Sequence, residues 1–154
     1  MVNHRKAKWT VKMVRDWTIG KFAERGIPSP ALDTDLLLGE VLQIGRLEIL
    51  MQHEKPLESV ELAAFRELAS RRLAGEPVAY ITGRKGFWNR EFHVGAGVLV
   101  PRPETELLVE HGLDYLQGID TPLIADVCTG SGNVIISILE EVERARGFGF
   151  DISQ

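Results

Sequence analysis

The segment 123–151 constrains the fold more than any other part of the chain. Residues 123–127 are a short apolar run, residues 128–132 contain two glycines, and residues 133–142 are apolar enough for a packed helix. Residues 147–150 predict a second strand, so the order is strand, turn, helix, strand. That order predicts a parallel pair with a right-handed crossover. Parallel sheets are normally covered on both faces, so we expect either a partner or a truncated domain.

The first half of the chain has helical periodicity, which predicts a small helical bundle over residues 1–75. Thr10 is expected to cap the first helix and Gly26 to stop it. The second helix is expected to end at Gly45, a short third helix covers 46–52, and a fourth covers 58–73 before Gly75. The apolar sides of the first two helices carry Val11, Val14, Trp17, Phe22, Leu32, Leu36, Leu37 and Val41.

Beyond Gly75 the pattern changes to short β-branched and aromatic runs. Residues 78–81 and 86–94 predict extended structure, with a hairpin turn at Asn89-Arg90. Residues 98–100 predict another extended piece, and residues 104–116 predict a helix. The apolar side of that helix carries Leu107, Leu108, Leu113 and Leu116.

Composition and charge narrow the class of protein. With 44% hydrophobic and 26% charged residues, the chain is typical of a soluble globular protein. Its apolar runs are too short for a membrane span, and no secretory signal is present. A single cysteine, Cys128, fits a reducing compartment, so we expect a cytoplasmic location. The seven Lys and Arg residues of 1–25 favour a solvated helix face over nucleic-acid contact, which stays an alternative.

The motif most informative about chemistry is 126–133, DVCTGSGN. Glycines after a strand let a ligand approach the backbone, and amides at the following helix start favour a negative group. Asp151 ends the next strand, where a carboxylate accepts hydrogen bonds from both ribose hydroxyls of an adenosine. Ile135 stands where a dinucleotide site needs its third glycine. The motif therefore favours S-adenosylmethionine over a nicotinamide or flavin, and a glycine-rich turn without a ligand stays an alternative.

A second motif precedes the first. It comprises GEPVAYITG at 75–83, Phe87-Trp88, and VLVPRPETE at 98–106. With DVCTGSGN, this order closely resembles the release-factor glutamine methyltransferases, the PrmC/HemK family, over residues 32–154. The PRPETE segment is the distinctive part.

The resemblance implies the fold class α plus α/β. It predicts an N-terminal helical bundle (1–75) that binds release factors, a β-hairpin linker (76–100), and the first βαβ unit of a Rossmann-like class I methyltransferase domain (101–154, truncated). It implies protein methylation in translation termination, with S-adenosylmethionine as cofactor and the glutamine amide of the Gly-Gly-Gln motif in class I release factors as substrate. No membrane partner is expected, and contact with the ribosome stays open.

By the same resemblance, the loop 128–132 wraps the methionine part of the cofactor and Asp151 holds the ribose. Residues 99–106 line the cofactor from above. The implied cofactor-binding residues are Cys128, Thr129, Gly130, Ser131, Gly132 and Asp151, followed by Asp126, Leu99, Arg102 and Thr105. Cys128 replaces the glycine usual in the family, which predicts backbone strain at positive φ. Arg102 has an alternative role as a loop anchor paired with Glu104 or Glu106.

The family orients the substrate amide with an Asn-Pro-Pro-Tyr loop, and no Asn-Pro pair occurs in this chain. We therefore assign no catalytic residue and expect the chain alone to be inactive. The four histidines show no metal-ligand spacing, so no metal site is predicted. A non-catalytic module that binds a release factor or a ribosomal partner is the alternative function.

Overall fold

A computed structural model describes residues 8–153, so Arg5 and Lys6 of the basic start lie outside the described residues. The chain is mixed α/β and separates into two compact units, with the division between Thr82 and Gly83. Among the described residues, no helix is long and apolar enough to cross a membrane.

The first unit is helical, as the periodicity predicts. Its helices are α1 (Val11–Glu24), α2 (Pro30–Leu42), α3 (Arg46–Met51), α4 (Ser59–Leu73) and α5 (Val78–Thr82). Thr10 caps α1 as expected: its Oγ1 accepts a hydrogen bond from the Met13 N–H at 3.3 Å. Such caps satisfy an amide that has no partner inside the helix.

Two expectations about α2 are wrong. Leu32 and Leu36 are exposed, because the buried face of α2 instead carries Leu37, Leu38 and the carboxylate of Asp35. Gly45 does not end this helix. The C-cap residue is Gln43 in the left-handed conformation (φ 54°), and Gly45 begins α3 by donating its N–H to the Glu48 carboxylate at 2.9 Å.

Asp35 joins three helices of this unit. Its side chain is fully buried, and it accepts from Arg15 Nε of α1 at 2.6 Å and from Arg46 Nε of α3 at 3.0 Å. The hydrogen bond to Asp35 also raises the pKa of the Arg15 guanidinium. A buried carboxylate is tolerated only when it is paired in this way.

The expectation of extended structure at residues 78–81 is wrong. Pro77 supplies the carbonyl that accepts from the Tyr80 and Ile81 amides, and helix α5 follows. Ile81 is buried in the core of the helical unit, together with Phe22, Leu37 and Phe65. Burial of Ile81 therefore outweighs the β propensity of this short segment.

The second unit contains a hairpin and a βαβ unit. The hairpin strands are β1 (Arg84–Phe87) and β2 (Arg90–His93), with Trp88 in the turn at φ 53°. A single 3₁₀ turn (Pro103–Thr105) leads into α6 (Glu106–Leu116). Then follow β3 (Leu123–Val127), α7 (Asn133–Glu141) and β4 (Arg146–Phe150). Residues 98–100, expected to be extended, do not form a strand.

The hairpin packs into the core of this unit. Phe87 and Phe92 are buried with their rings edge to face, 6.1 Å between centroids, and they lie in one cluster with Val109 and Ile138. Val109 is the buried residue of α6, whereas Leu107 and Leu108, expected on the apolar side, are exposed. The Trp88 indole N–H donates to Glu141 of α7 at 3.0 Å.

Strands β3 and β4 pair in parallel, as the sequence predicts, with Leu123 opposite Arg146 and Val127 opposite Phe150. Helix α7 covers one face closely: a Cβ on Gly147 would lie 2.7 Å from Ile135 Cδ1. The open face carries Leu123, Val127, Phe148 and Phe150, which are 55–73% exposed. The strands are therefore apolar, but only one of their faces is covered by the described residues.

We expect Asp35→Ala to lower the free energy of unfolding of the helical unit by about 2–3 kcal/mol, because both arginines lose a charged hydrogen-bond partner. Urea unfolding followed by tryptophan fluorescence measures this change. Glu24→Ala, which removes the exposed pair with Lys21, is the matched control and should cost less than about 0.5 kcal/mol. Equal losses for the two variants would contradict the role given to Asp35.

Candidate cofactor-binding site

The glycine turn, residues 128–132, joins β3 to α7 through left-handed backbone. Cys128, Gly130 and Gly132 have φ angles of 67°, 55° and 76°. Glycine adopts this region freely, whereas a cysteine there is strained. The strain predicted for Cys128 is therefore present, and its thiol is free and exposed.

Hydrogen bonds tie the glycine turn to the end of β4. The Cys128 and Thr129 amides both donate to the Phe150 carbonyl, at 2.8 and 3.0 Å. The Thr129 hydroxyl donates to Asp126 Oδ2 at 2.8 Å. The Thr129 side chain also lies 3.0–3.3 Å from where a Gly149 Cβ would be, so β4 needs a glycine at that position.

Asp151 follows β4 directly and faces the glycine turn. Its Oδ2 accepts from the Gly130 N–H at 2.8 Å, and its Oδ1 accepts from the Ser153 hydroxyl at 2.6 Å and amide at 2.9 Å. The Ser153 hydroxyl, then the Ser153 and Gly130 amides, lower the pKa of Asp151 to about 2. The exposed carboxylate is thus held ionised and oriented at the mouth of the turn.

Asn133 ends the 126–133 motif, but the sequence analysis did not include it among the cofactor-binding residues. It is 8% exposed, its Oδ1 accepts from the Ser131 hydroxyl at 3.1 Å, and its carbonyl accepts from the Ser137 hydroxyl at 2.6 Å. It therefore fixes Ser131 to the first turn of α7. Its position directly after Gly132 was the available signal.

The segment 98–106, which ends in PRPETE, is only partly in contact with the glycine turn. Val98 Cγ1 lies 3.9 Å from where a Gly130 Cβ would be, while the Leu99 side chain is 76% exposed. The Thr105 amide donates to the Arg102 carbonyl at 3.0 Å within the 3₁₀ turn. Among the described residues no ion pair joins Arg102 to Glu104 or Glu106. The Glu106 carboxylate instead accepts from the Trp88 N–H at 2.8 Å.

Comparisons with known proteins agree with these motifs. Residues 14–83 match the family model of the PrmC N-terminal domain. The chain is 43% identical over 150 residues to a release factor glutamine methyltransferase of Chlorobaculum tepidum, covering 94% of this chain and 51% of the relative.

Two further relatives carry the same name. The Burkholderia pseudomallei protein is 41% identical over 129 residues (84% of this chain, 45% of the relative), and the Rhodopirellula baltica protein is 36% identical over 149 residues (94% and 50%). The name shared by these three relatives is that of a class of methyltransferases. More narrowly, the chain is similar over most of its length to release factor glutamine methyltransferases, and it spans about half the length of the curated relatives it matches.

We expect Cys128→Gly to raise the free energy of unfolding of the second unit by up to about 1 kcal/mol, because glycine removes the strain at φ 67°. Cys128→Val should lower it by about 1–2 kcal/mol, because a β-branched side chain tolerates this region least. Urea unfolding followed by the fluorescence of Trp88, in a background that carries Trp9→Phe and Trp17→Phe, measures both. A glycine variant less stable than the parent would contradict strain at this position.

We expect the carboxyl carbon of Asp151 to titrate by NMR with a pKa of about 2, and Ser153→Ala to raise that pKa towards the ordinary value. Because the folded pKa lies below the unfolded value of about 3.9, Asp151 stabilises the fold above that value. The contribution disappears as the pH falls towards 2. An unshifted pKa in the parent chain would contradict the hydrogen bonds described.

Proposed function

We propose that the glycine turn and Asp151 form part of an S-adenosylmethionine site in a Rossmann-like methyltransferase domain. The observation that carries this proposal is the Gly130 N–H bound to Asp151 Oδ2, because it sets a carboxylate beside a turn whose glycines leave the backbone open. Names of relatives that specify methyl transfer support it.

The chemistry of the residues fits such a cofactor. Asp151 is an ionised acceptor at the mouth of the turn, which suits a pair of ribose hydroxyls that donate. Residues 128–132 would hold the methionine part, and Asp126 would act indirectly by fixing Thr129. Leu99, Arg102 and Thr105 would line the same site. The cofactor, when bound, supplies an activated methyl group on a sulfonium.

We further propose that the whole protein transfers this methyl group to the side-chain amide of the glutamine in the Gly-Gly-Gln motif of class I release factors. An amide nitrogen is a poor nucleophile, since its lone pair is delocalised into the carbonyl. A transferase must therefore hold that nitrogen in line and accept hydrogen bonds from its N–H groups. No Asn-Pro-Pro-Tyr loop occurs in these 154 residues, so we propose that this chain alone does not perform the transfer.

The domain assignment belongs to the same proposal. Residues 1–75 would bind the release factor, and residues 101–154 would begin the methyltransferase domain. Residues 76–100 would link these two domains. A cytoplasmic location follows from a substrate that acts in translation termination. Binding of the release factor without chemistry is the alternative for the isolated chain.

An NMR titration of the full chain with S-adenosylmethionine tests the cofactor proposal. We expect weak binding that shifts the amide signals of the glycine turn and of Asp151, and NAD at the same concentration should leave those signals in place. Asp151→Ala should abolish the shifts because the ribose acceptor is lost. Asp120→Ala, which removes an exposed carboxylate of the same unit, is the matched control.

Two results would contradict the proposal. If NAD shifts the amide signals of the glycine turn and S-adenosylmethionine does not, the site is a dinucleotide site. Methyl transfer by the 154-residue chain from labelled S-adenosylmethionine to a class I release factor would show that no further loop is needed.

A further inference from the structure

An apolar groove runs along the surface of the helical unit, between α1 and α4. Both helices pack on α2, and the groove between them has a volume of about 370 Å³. Its lining residues are Trp9, Val14, Trp17, Thr18, Leu62, Phe65, Arg66, Ala69, Ser70 and Leu73. The Trp17 side chain stands 54% exposed at the rim.

The shape of this groove suits a helix. Leu62, Phe65, Arg66, Ala69, Ser70 and Leu73 recur at spacings of three and four along one face of α4. From Leu62 to Leu73 that face extends about 16 Å, at 1.5 Å per residue. An apolar groove of this length can bind the apolar face of about three turns of a helix.

Positive charge lies along the groove. Arg66 lines it, Lys8 precedes Trp9 at one end, and the Arg25 Nε donates to the Leu73 carbonyl at the other. Within residues 8–153, none of these three cations is paired with a carboxylate. Three acidic residues are next in sequence to the lining. Glu61 pairs with Lys55 at 3.8 Å, and Asp16 and Glu67 lie near enough to Arg15 and Arg71 for charge interactions with them.

We propose that the groove between α1 and α4 binds an amphipathic helix of a protein partner, one whose apolar face is flanked by acidic residues. Trp17 and the half-buried Leu62 would pack on the apolar face, and Arg66 would pair with an acidic flank. A protein helix fits better than RNA, because the lining is apolar except for Arg66, Thr18 and Ser70. The inference rests on the helical unit alone and does not depend on the methyltransferase proposal.

Designed peptides of about 18 residues, roughly five helical turns, test this proposal on the full chain. One peptide has a leucine face flanked by glutamates, the second has lysines in place of the glutamates, and the third is a scrambled form of the first. By fluorescence anisotropy we expect micromolar binding of the glutamate peptide. The lysine and scrambled peptides should bind at least about ten-fold more weakly.

Three variants locate the binding site. Trp17→Ala should weaken binding of the glutamate peptide about ten-fold or more, which is the loss expected for a buried aromatic side chain at the centre of an interface. Arg66→Glu should reverse the preference so that the lysine peptide binds more tightly. Lys12→Glu, on α1 but outside the groove lining, makes the same charge change and should leave the preference intact.

Several outcomes would overturn the proposal. Equal binding of all three peptides, or no binding of any of them, would show that the groove does not bind an amphipathic helix with acidic flanks. Competition by an oligouridine RNA would favour a nucleic-acid surface. Dimerisation of the chain in sedimentation velocity, lost in Trp17→Ala, would make a second copy of the chain the occupant.

Discussion

The hydrogen bond between the Gly130 amide and Asp151 holds the candidate site together. It joins the glycine turn after β3 to the residue that follows β4, so the two parallel strands end at one place. The site depends on this hydrogen bond because it is the contact through which the glycine turn itself orients the Asp151 carboxylate. The strain at Cys128 is retained because three amides of the turn itself are satisfied, those of Cys128 and Thr129 by the Phe150 carbonyl and that of Gly130 by Asp151.

The packing of β4 against α7 explains why that join is possible. Gly147 admits Ile135 and Leu139, and Gly149 admits the Thr129 side chain. The alternation of glycine and phenylalanine in β4 therefore puts all bulk on the open face, where Phe148 and Phe150 lie exposed. The same alternation that builds the site leaves an apolar surface of the kind that parallel sheets ordinarily cover.

Much of this arrangement was predictable from the sequence, because local signals and tertiary packing agree there. Thr10 as a cap, the parallel pair and the turn follow from residue type and spacing, whereas the strain at Cys128 followed from the resemblance, which puts a glycine there. The failures have tertiary causes. Residues 78–81 are helical because Ile81 is buried, and Leu32 and Leu36 are exposed because Asp35 takes the buried face of α2. No periodicity signals a buried carboxylate whose two arginine partners lie 20 and 11 residues away. The substrate came from resemblance. The motif favoured S-adenosylmethionine by itself, but it left a glycine-rich turn without a ligand as an alternative.

A crystal structure of the chain soaked with S-adenosylhomocysteine, the demethylated cofactor, tests the central claim most directly. The account predicts ribose hydroxyls within hydrogen-bond distance of the Asp151 carboxylate and the homocysteine part along the glycine turn. Ligand density at any other place, with Asp151 still bound only to Gly130 and Ser153, would contradict it.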